Sequence, residues 1–442
     1  MKSYFYKLLH RYVSLIARPF SSVVEVTPRH GRLIELMDTC TRFIYTPDPL
    51  QPLFAKSVTC LDSFKEIAAI KPDCILLNGN LHYEADIQAL LENLREASEP
   101  KTRIIILYYS ALWRPLIRLA TALGLRQRTP EQNWLAHEDV ENFLHLTGFE
   151  KVSREFKVLC PVYIPAISNF VNRLVAPLPL VRHLTMVNML VARPLIKPAS
   201  TSRPSVSIIV AARNEAGTIE QLIRRIPAMG PDDELIFVEG HSTDDTALVI
   251  DSMAKKYASS KKIIAARQPG KGKGDAVRLG FSLASRDIMI ILDADLSVAP
   301  EDLLKVYRAI IDNKGELVNG SRLVYPMDAK AMRFWNMVGN KFFAAAFSFV
   351  IGQRFKDTLC GTKALGREKY LAIAHNRDFF GDFDPFGDFD LLFGAAGLGM
   401  KIVELPLRYY QRTYGTTNIR RWQHGMLLFR MLLFAARKIK FL

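Results

Sequence analysis

Residues 290–297 read I-I-L-D-A-D-L-S. A short isoleucine-leucine run reads as a buried strand, and this one ends on two acids, Asp293 and Asp295, separated only by Ala294. On an extended segment, side chains at i and i+2 point the same way. Two carboxylates that close repel and raise each other's pKa unless a cation or a donor lies between them. The spacing allows two readings: the pair binds a metal, or it caps the helix announced by Pro300, Glu301 and Asp302.

Other strand ends carry similar chemistry. One ends in A-A-R-N-E, with Ala211, Arg213 and Glu215. Another ends in E-G-H-S-T-D-D-T, with Glu239, Ser242 and Asp244. A nucleobase and a ribose both need acceptors, and carboxylates serve both. Then comes Q-P-G-K-G-K-G-D-A, residues 268–276, which holds three glycines in five residues with Lys271 and Lys273 beside Gly274. Glycine lets backbone approach phosphate and lysine neutralises it. An ordinary turn would read the same, and the loop is not a Walker motif.

The elements that must position these groups alternate. Val206–Val210, Leu235–Val238, Ile263–Ala265 and Ile288–Leu292 read as strands, with helices at Ile219–Ile226, Thr246–Tyr257 and Asp275–Ala284. Earlier strands are Val23–Val26, Cys74–Leu77 and Ile104–Tyr108, with a helix at Asp86–Arg95. Such alternation implies mostly parallel sheets, whose ligands lie at strand carboxyl ends. Pro and Ser crowd residues 196–205, which read as a linker. The expected domains are 1–195, 206–420 and a basic tail, 421–442.

The order of acid-tipped strands, Gly-Lys loop and D-A-D resembles family 2 glycosyltransferases, over residues 204–420. N-G-S-R (319–322), D-T-L-C-G-T-K (357–363) and R-T-Y-G-T-T-N-I (412–419) are similar to segments of the polyprenyl (dolichyl) phosphate glycosyltransferases. The resemblance implies a GT-A nucleotide-sugar-binding fold. It further implies that Asp293 and Asp295 hold Mg²⁺ or Mn²⁺ on the donor diphosphate, and that Arg322, Lys363 and Arg412 hold the diphosphate or an anionic acceptor. Each of those three could equally be a plain surface charge. The chain departs from the pattern at Glu239 and Gly240, where two aspartates are usual, at Thr417 for serine and at Asn418 for lysine.

A sugar hydroxyl attacking an anomeric carbon needs a general base; a lipid phosphate, already an oxyanion, needs none. Residues 380–392 offer Asp382, Asp384, Asp388 and Asp390, of which Asp388 and Asp390 align best with the family's base, or else serve as helix caps. The favoured acceptor is a polyprenyl phosphate. The alternatives are a hydroxyl of a surface glycan or lipid headgroup, a bifunctional enzyme with an active methyltransferase half, and a scaffold of two inactive folds.

The methyltransferase half is residues 20–155, where V-V-E-V-T-P-R-H-G-R-L (23–33), residues 73–86 and residues 133–149 resemble a class I S-adenosylmethionine-dependent methyltransferase of Rossmann-like fold. The glycine-rich turn expected after Glu25 is Thr27-Pro28-Arg29-His30-Gly31, and the acid expected on the second strand is Asp48, between two prolines. Pro28 and Arg29 would stiffen and crowd the turn, so the domain reads as degenerate and S-adenosylmethionine is not expected.

The formal charge of +15 calls for an anionic partner. Residues 401–442 hold nine Lys or Arg against one acid, Glu404. That tail and residues 334–353 read as interfacial amphipathic segments, core helices or a dimer contact. No stretch is apolar enough to span a bilayer, the N-terminus does not read as a signal peptide, and no nucleic-acid motif appears. Five scattered cysteines without a CxxC pair suit a reducing cytoplasm. The expected location is the inner face of the membrane, with homo-oligomerisation open.

Overall fold

A computed structural model describes residues 2–17, 20–28, 31–37, 41–47, 58–124, 133–196, 203–324, 334–376, 387, 389–412, 414 and 421–441. The chain forms two compact units: Met1–Lys197 with Arg437–Leu442, and Pro198–Ala436.

The first unit is a seven-stranded sheet between helices. Its strands are β1 (Ser22–Val26), β2 (Thr41–Tyr45), β3 (Thr59–Leu61), β4 (Cys74–Asn78), β5 (Arg103–Tyr109), β6 (Phe149–Lys157) and β7 (Val187–Pro194), in the order β3-β2-β1-β4-β5-β7-β6. Helices include α1 (Lys2–Ala17), α2 (Ile87–Glu96), α3 (Arg114–Ala122) and α4 (His137–Leu146). All pairs are parallel except those made by β7, which runs antiparallel to both β5 and β6. Alternate residues feed opposite faces: Val24, Ile75 and Ile104 join one core, and Val23, Cys74 and Ile105 the other. Burial on both faces explains the unbroken apolar runs that made these strands legible. Asp86 accepts from Ala89 N at 2.9 Å and so starts α2 as its N-cap.

The second unit has the same plan. Its strands are β8 (Val206–Ala212), β9 (Glu234–Glu239), β10 (Lys262–Arg267), β11 (Ile288–Ile291), β12 (Leu317–Ser321), β13 (Lys363–Gly366) and β14 (Ile402–Pro406), in the order β10-β9-β8-β11-β13-β12-β14. Again one strand, β13, is reversed against both its neighbours. Its helices include α5 (Ile219–Arg225), α6 (Thr246–Lys256), α7 (Lys273–Leu283), α8 (Leu303–Ile311), α9 (Phe334–Ile351), α10 (Phe389–Gly397) and α11 (Arg421–Ala435). The chain winds outward through β8, β9 and β10, then returns to the other side of β8 at β11. That reversal puts the β8 and β11 carboxyl ends at a switch point, where open sheets take ligands. The helix α7 lies close on β8: a Cβ on Gly280 would come 2.3 Å from Ile209 Cγ2. Glycine there sets the depth of α7 and hence the place of its first residue, Lys273.

The expected interfacial segments behave differently from one another. The helix α9 buries Ala344, Phe347, Val350 and Ile351 while Phe342 is exposed. The helix α11 buries Leu428, Met431, Leu432 and Ala435 while Met426, Phe429 and Leu433 are exposed. The tail then ends inside the first unit, where Lys440 Nζ lies 2.8 and 2.6 Å from the Glu155 carboxylate oxygens. At Lys440 the tail is thus inside protein, not at a lipid surface. Among the described residues, no helix is long and apolar enough to cross a membrane. Cys60, Cys74, Cys160 and Cys360 are free thiols.

Candidate functional site

Three loops at strand carboxyl ends build the site, following β8, β9 and β11. Each contains one non-glycine residue in the left-handed region: Asn214 (φ 56°), His241 (φ 56°) and Leu296 (φ 55°). That conformation costs roughly 1–2 kcal/mol per residue, and such strain gathers where a loop must present groups in one way.

The first two loops are stitched together. Ser242 N donates to Glu239 Oε1 at 2.6 Å, Asn214 N donates to Ser242 Oγ at 3.1 Å, and Thr243 N returns to Asn214 Oδ1 at 2.8 Å. Burial pushes the Glu239 carboxyl up, but the Ser242 and His241 N–H groups and the Ser242 hydroxyl outweigh it and hold it below the usual range. Asp244 accepts from Thr246 N at 3.0 Å, Ala216 N at 3.3 Å and the Tyr414 hydroxyl at 3.3 Å. Tyr414 lies on Gly217, where a Cβ would come 2.5 Å from its ring. Ala211, next to last in β8, is half-buried, and Arg213 is exposed.

The D-A-D acids diverge. Asp293 Oδ1 accepts from Lys273 Nζ at 2.6 Å. Asp295 Oδ1 accepts from Ser297 N at 3.0 Å, and its Oδ2 lies 2.7 Å from Arg412 Nη2. The sequence reading placed both acids on one side of a strand. The strand stops at Ile291 instead, and the turn beyond it gives each carboxylate its own cation. Neither acid caps the helical segment at Pro300, whose N-cap is Ala299. Asp293 is held low despite burial, first by Lys273 and then by Arg322 and Lys363. Gly361 faces this pair, and a Cβ there would collide with Asp293 Oδ2 and Lys273 Nζ at 2.3 and 2.4 Å.

Arg412 also reaches Glu215, 3.4 Å from Nη1 to Oε1. Glu215 Oε2 is buried without a hydrogen-bond partner. Burial pushes Glu215 up to about 7; Arg412 opposes the shift, while Asp295, Asp244 and Asp293 reinforce it. Four acids therefore crowd the site, and the bases Lys273 and Arg412 pair with three of them, while Arg322 and Lys363 act on Asp293.

None of the three late bases is a plain surface charge. Lys363 is fully buried on β13 and donates to the Cys360 carbonyl. Arg322 forms a fork with Asp357, Nε to Oδ2 at 2.7 Å and Nη2 to Oδ1 at 2.9 Å, and Asn340 Nδ2 adds 2.9 Å to the same Oδ1. Arg322 pulls Asp357 down to about 2 against its burial. Asp357 is a residue whose task the motif did not disclose: it aims Arg322. Tyr414 and Gly361 were likewise missed, because their work is contact and clearance.

Of the late acids, Asp382, Asp384 and Asp388 lie outside the described residues, as do Gly415, Thr417 and Asn418, and in the first unit Arg29, His30 and Asp48. Asp390 sits half-buried in the first turn of α10. Just before it, Gly387 (φ 70°) meets α7: a Cβ there would lie 3.0 Å from Gly274 Cα. Gly387 therefore lies against the first turn of α7.

The donor set fits a hard divalent cation. Asp293 and Asp295 offer carboxylate oxygens, and Glu215, raised first by burial and then by the neighbouring acids, has an orphaned oxygen beside them. No three His, Cys, Asp or Glu converge into a closed cage among the described residues. Such a cation would take one or two carboxylates here and complete its shell from phosphate and water.

Residues 207–371 match the Glycosyl transferase family 2 model, a span that includes Asp293, Asp295, Arg322 and Lys363 but not Asp390 or Arg412. Glycosyltransferase AglJ of Haloferax volcanii is 29% identical over 51% of this chain and 70% of its own length. Dolichol-phosphate mannosyltransferase of Pyrococcus furiosus is 28% identical over 49% of this chain and 59% of its own. Polyprenol monophosphomannose synthase of Mycolicibacterium smegmatis is 25% identical over 50% and 83%. The chain thus spans only part of these proteins. Glucosyl-3-phosphoglycerate synthase of Mycobacterium tuberculosis, solved with Mn²⁺ and UDP, superposes at a TM-score of 0.39 with 20% identity over 55% of this chain and 86% of its own, too distant to add to the reading. The second unit, of α/β fold, thus contains a glycosyl transferase family 2 enzyme domain over residues 207–371.

Proposed function

We propose that the second unit transfers a sugar, with inversion, from a nucleotide sugar to a polyprenyl phosphate at a membrane surface. The observation that carries this is the interleaved set of charges at the switch point: Asp293 pairs with Lys273 and Asp295 with Arg412, while Arg322 and Lys363 lie close enough to help hold Asp293 low. Acids alone would suit a cation, and bases alone an anion. Together they suit a metal-bridged diphosphate with a second anion beside it. The names of the relatives from Pyrococcus and Mycolicibacterium point to the same acceptor class.

In this reading Asp295 and Asp293 hold Mg²⁺ or Mn²⁺, which stabilises charge on the departing nucleoside diphosphate. Lys273, which pairs with Asp293, would be the residue placed to meet the phosphates once a cation occupied the acids. Glu239, Ser242, Asp244, Ala211, Arg213 and Glu215 line the nucleoside side, and Ala294 and Gly274 leave room for the diphosphate. Arg412 steers the acceptor's phosphate, which attacks the anomeric carbon directly. The contact of Gly387, three residues before Asp390, with Gly274 supports a second reading, in which Asp388 or Asp390 takes the proton from a hydroxyl acceptor. The first unit is proposed as a degenerate methyltransferase-like domain: Pro28 stands where the glycine-rich turn belongs, and Glu25 is spent in the core on Asn78 Nδ2 and Ile34 N.

The test incubates the protein with labelled nucleotide sugars, Mn²⁺ and polyprenyl phosphate, and counts label in the organic phase. Label that disappears in Asp295→Ala supports lipid-phosphate transfer. Donor consumed only with a glycan extract moves the acceptor to a hydroxyl and makes Asp388 or Asp390 the base. Calorimetry showing micromolar binding of S-adenosylmethionine to the full chain would overturn the reading of the first unit.

A further inference from the structure

The first unit exposes apolar side chains that a water-facing surface would bury. The helix α3 and its flanks place Leu112, Leu116, Leu119 and Leu123 at i, i+4, i+7 and i+11, one face of a helix. These leucines are 62%, 55%, 56% and 63% exposed, and no residue of the helix is fully buried. The less exposed positions, Trp113, Ile117, Ala120 and Thr121, lie on the other side. The leucine row points outward.

A second segment is patterned inside out. Across the helical turns Ile167–Phe170 and Val171–Val175, the buried residues are polar: Ser168 and Asn172. Asn172 Oδ1 accepts from Leu159 N and Cys160 N at 2.8 Å each, and Ser168 Oγ accepts from Ile164 N at 2.6 Å. The residues turned outward are Ile167, Phe170, Leu174 and Leu178, again at helical spacing, followed by Leu180, which is 88% exposed. A helix that satisfies its polar side internally and offers its apolar side outward is built against an apolar medium. Two hydrogen bonds hold the start of α3 against residues 184–186, which follow the second segment, and this part of the first unit forms its rim: Trp113 Nε1 donates to the Leu184 carbonyl at 2.7 Å, and Ser110 N to Met186 O at 2.8 Å.

The charge of these two tracts has one sign. No Asp or Glu occurs between Glu99 and Glu131, nor between Glu155 and Glu215, while Arg114, Arg118 and Arg173 lie within those tracts. We infer that this rim of the first unit rests on an anionic lipid bilayer, with the two apolar rows in the headgroup–acyl boundary and the arginines at the phosphates. A bilayer offers negative charge everywhere along an apolar surface, which matches exposed apolar rows in acid-free tracts that carry arginines, without needing a shaped partner. The inference concerns the first unit alone and stands whichever acceptor the second unit uses.

The test floats the full-length protein with vesicles of phosphatidylcholine, with and without phosphatidylglycerol. The wild type should float with the anionic vesicles, and salt should weaken it. Leu116→Asp with Leu119→Asp, and separately Phe170→Asp with Leu174→Asp, should each lower partitioning by about tenfold or more. Phe429→Asp, on exposed α11, should leave it unchanged. Because the substituted side chains are exposed, the melting curves should coincide. As a check independent of those variants, Leu119→Cys carrying an environment-sensitive dye should report an apolar setting on anionic vesicles. Failure of the wild type to float, equal floating by both double variants, or a dimer in sedimentation that the same substitutions dissolve would overturn the inference. Transfer to detergent-dispersed polyprenyl phosphate, run on the same proteins, reports separately on the second unit.

Discussion

At the scale of single residues, the site is a set of charges in tension. Asp295 spends one oxygen on Ser297 N and the other on Arg412. Asp295→Asn keeps an acceptor for Ser297 but removes the charge that both Arg412 and a divalent cation need. It should lower kcat/KM by about a hundredfold or more and abolish the response to Mn²⁺, read in steady-state transfer assays against metal concentration. The first unit holds a quieter case. Glu25 is fully buried between Asn78 and Ile34, and burial pushes its pKa up to about 7 against those two hydrogen bonds. With the folded pKa above the unfolded one, the folded state binds the proton more tightly. Stability is therefore highest below the unfolded value of about 4.5 and declines as pH rises towards about 7. Glu25→Gln should flatten that decline, worth on the order of 3 kcal/mol, in thermal melts across this pH range.

At the scale of elements, the fork between Arg322 and Asp357 ties the end of β12 to the segment before β13. Both side chains are almost out of water, so Asp357→Asn would strand the guanidinium. Removing one partner of a buried pair costs about 3–5 kcal/mol, and denaturant unfolding should show a loss of that order. Arg322→Met together with Asp357→Asn should recover part of it, because no charge is then left behind. This fork also marks where sequence reading ran out. The strands β1, β4, β5, β8, β9, β10 and β11 were legible because apolar side chains fill them or because acids tip them. The strand β6 was not: F-E-K-V-S-R-E-F-K looks soluble, yet Glu155 and Lys157 are buried on it beside Lys440. The strand β13 is only K-A-L-G, too short to carry a period. The D-A-D acids and the Gly-Lys loop were singled out by type and spacing, and Arg412 by the family resemblance. Asp357 and Tyr414 were not singled out, because aiming a guanidinium or covering a glycine leaves no mark on spacing.

At the scale of the whole molecule, the last residues of the chain complete the first unit, so that unit is discontinuous in sequence. Glu155 has two cations close by, Lys440 at 2.6 Å and Lys157 at 3.5 Å, and all three side chains are nearly inaccessible. Arg173 adds a hydrogen bond to the Phe441 carbonyl at 3.2 Å. Lys157 is itself pushed down by burial and supported by Glu155. Without Lys440, Glu155 would keep only the longer contact, and a buried carboxylate in that state destabilises its surroundings. A fragment ending at residue 197 should therefore be less stable than the same unit in the full chain. Ending the full chain at Ala436 should lower the first unit's melting temperature while leaving the second unit's switch-point charges intact. Differential scanning calorimetry should then show one transition moving and one staying. Lys440→Met should fall between the two, since it keeps the apolar stem but not the charge. If the fragment instead melts where the full chain does, the pair at Glu155 contributes nothing to folding, and the terminal segment is a passenger in the first unit.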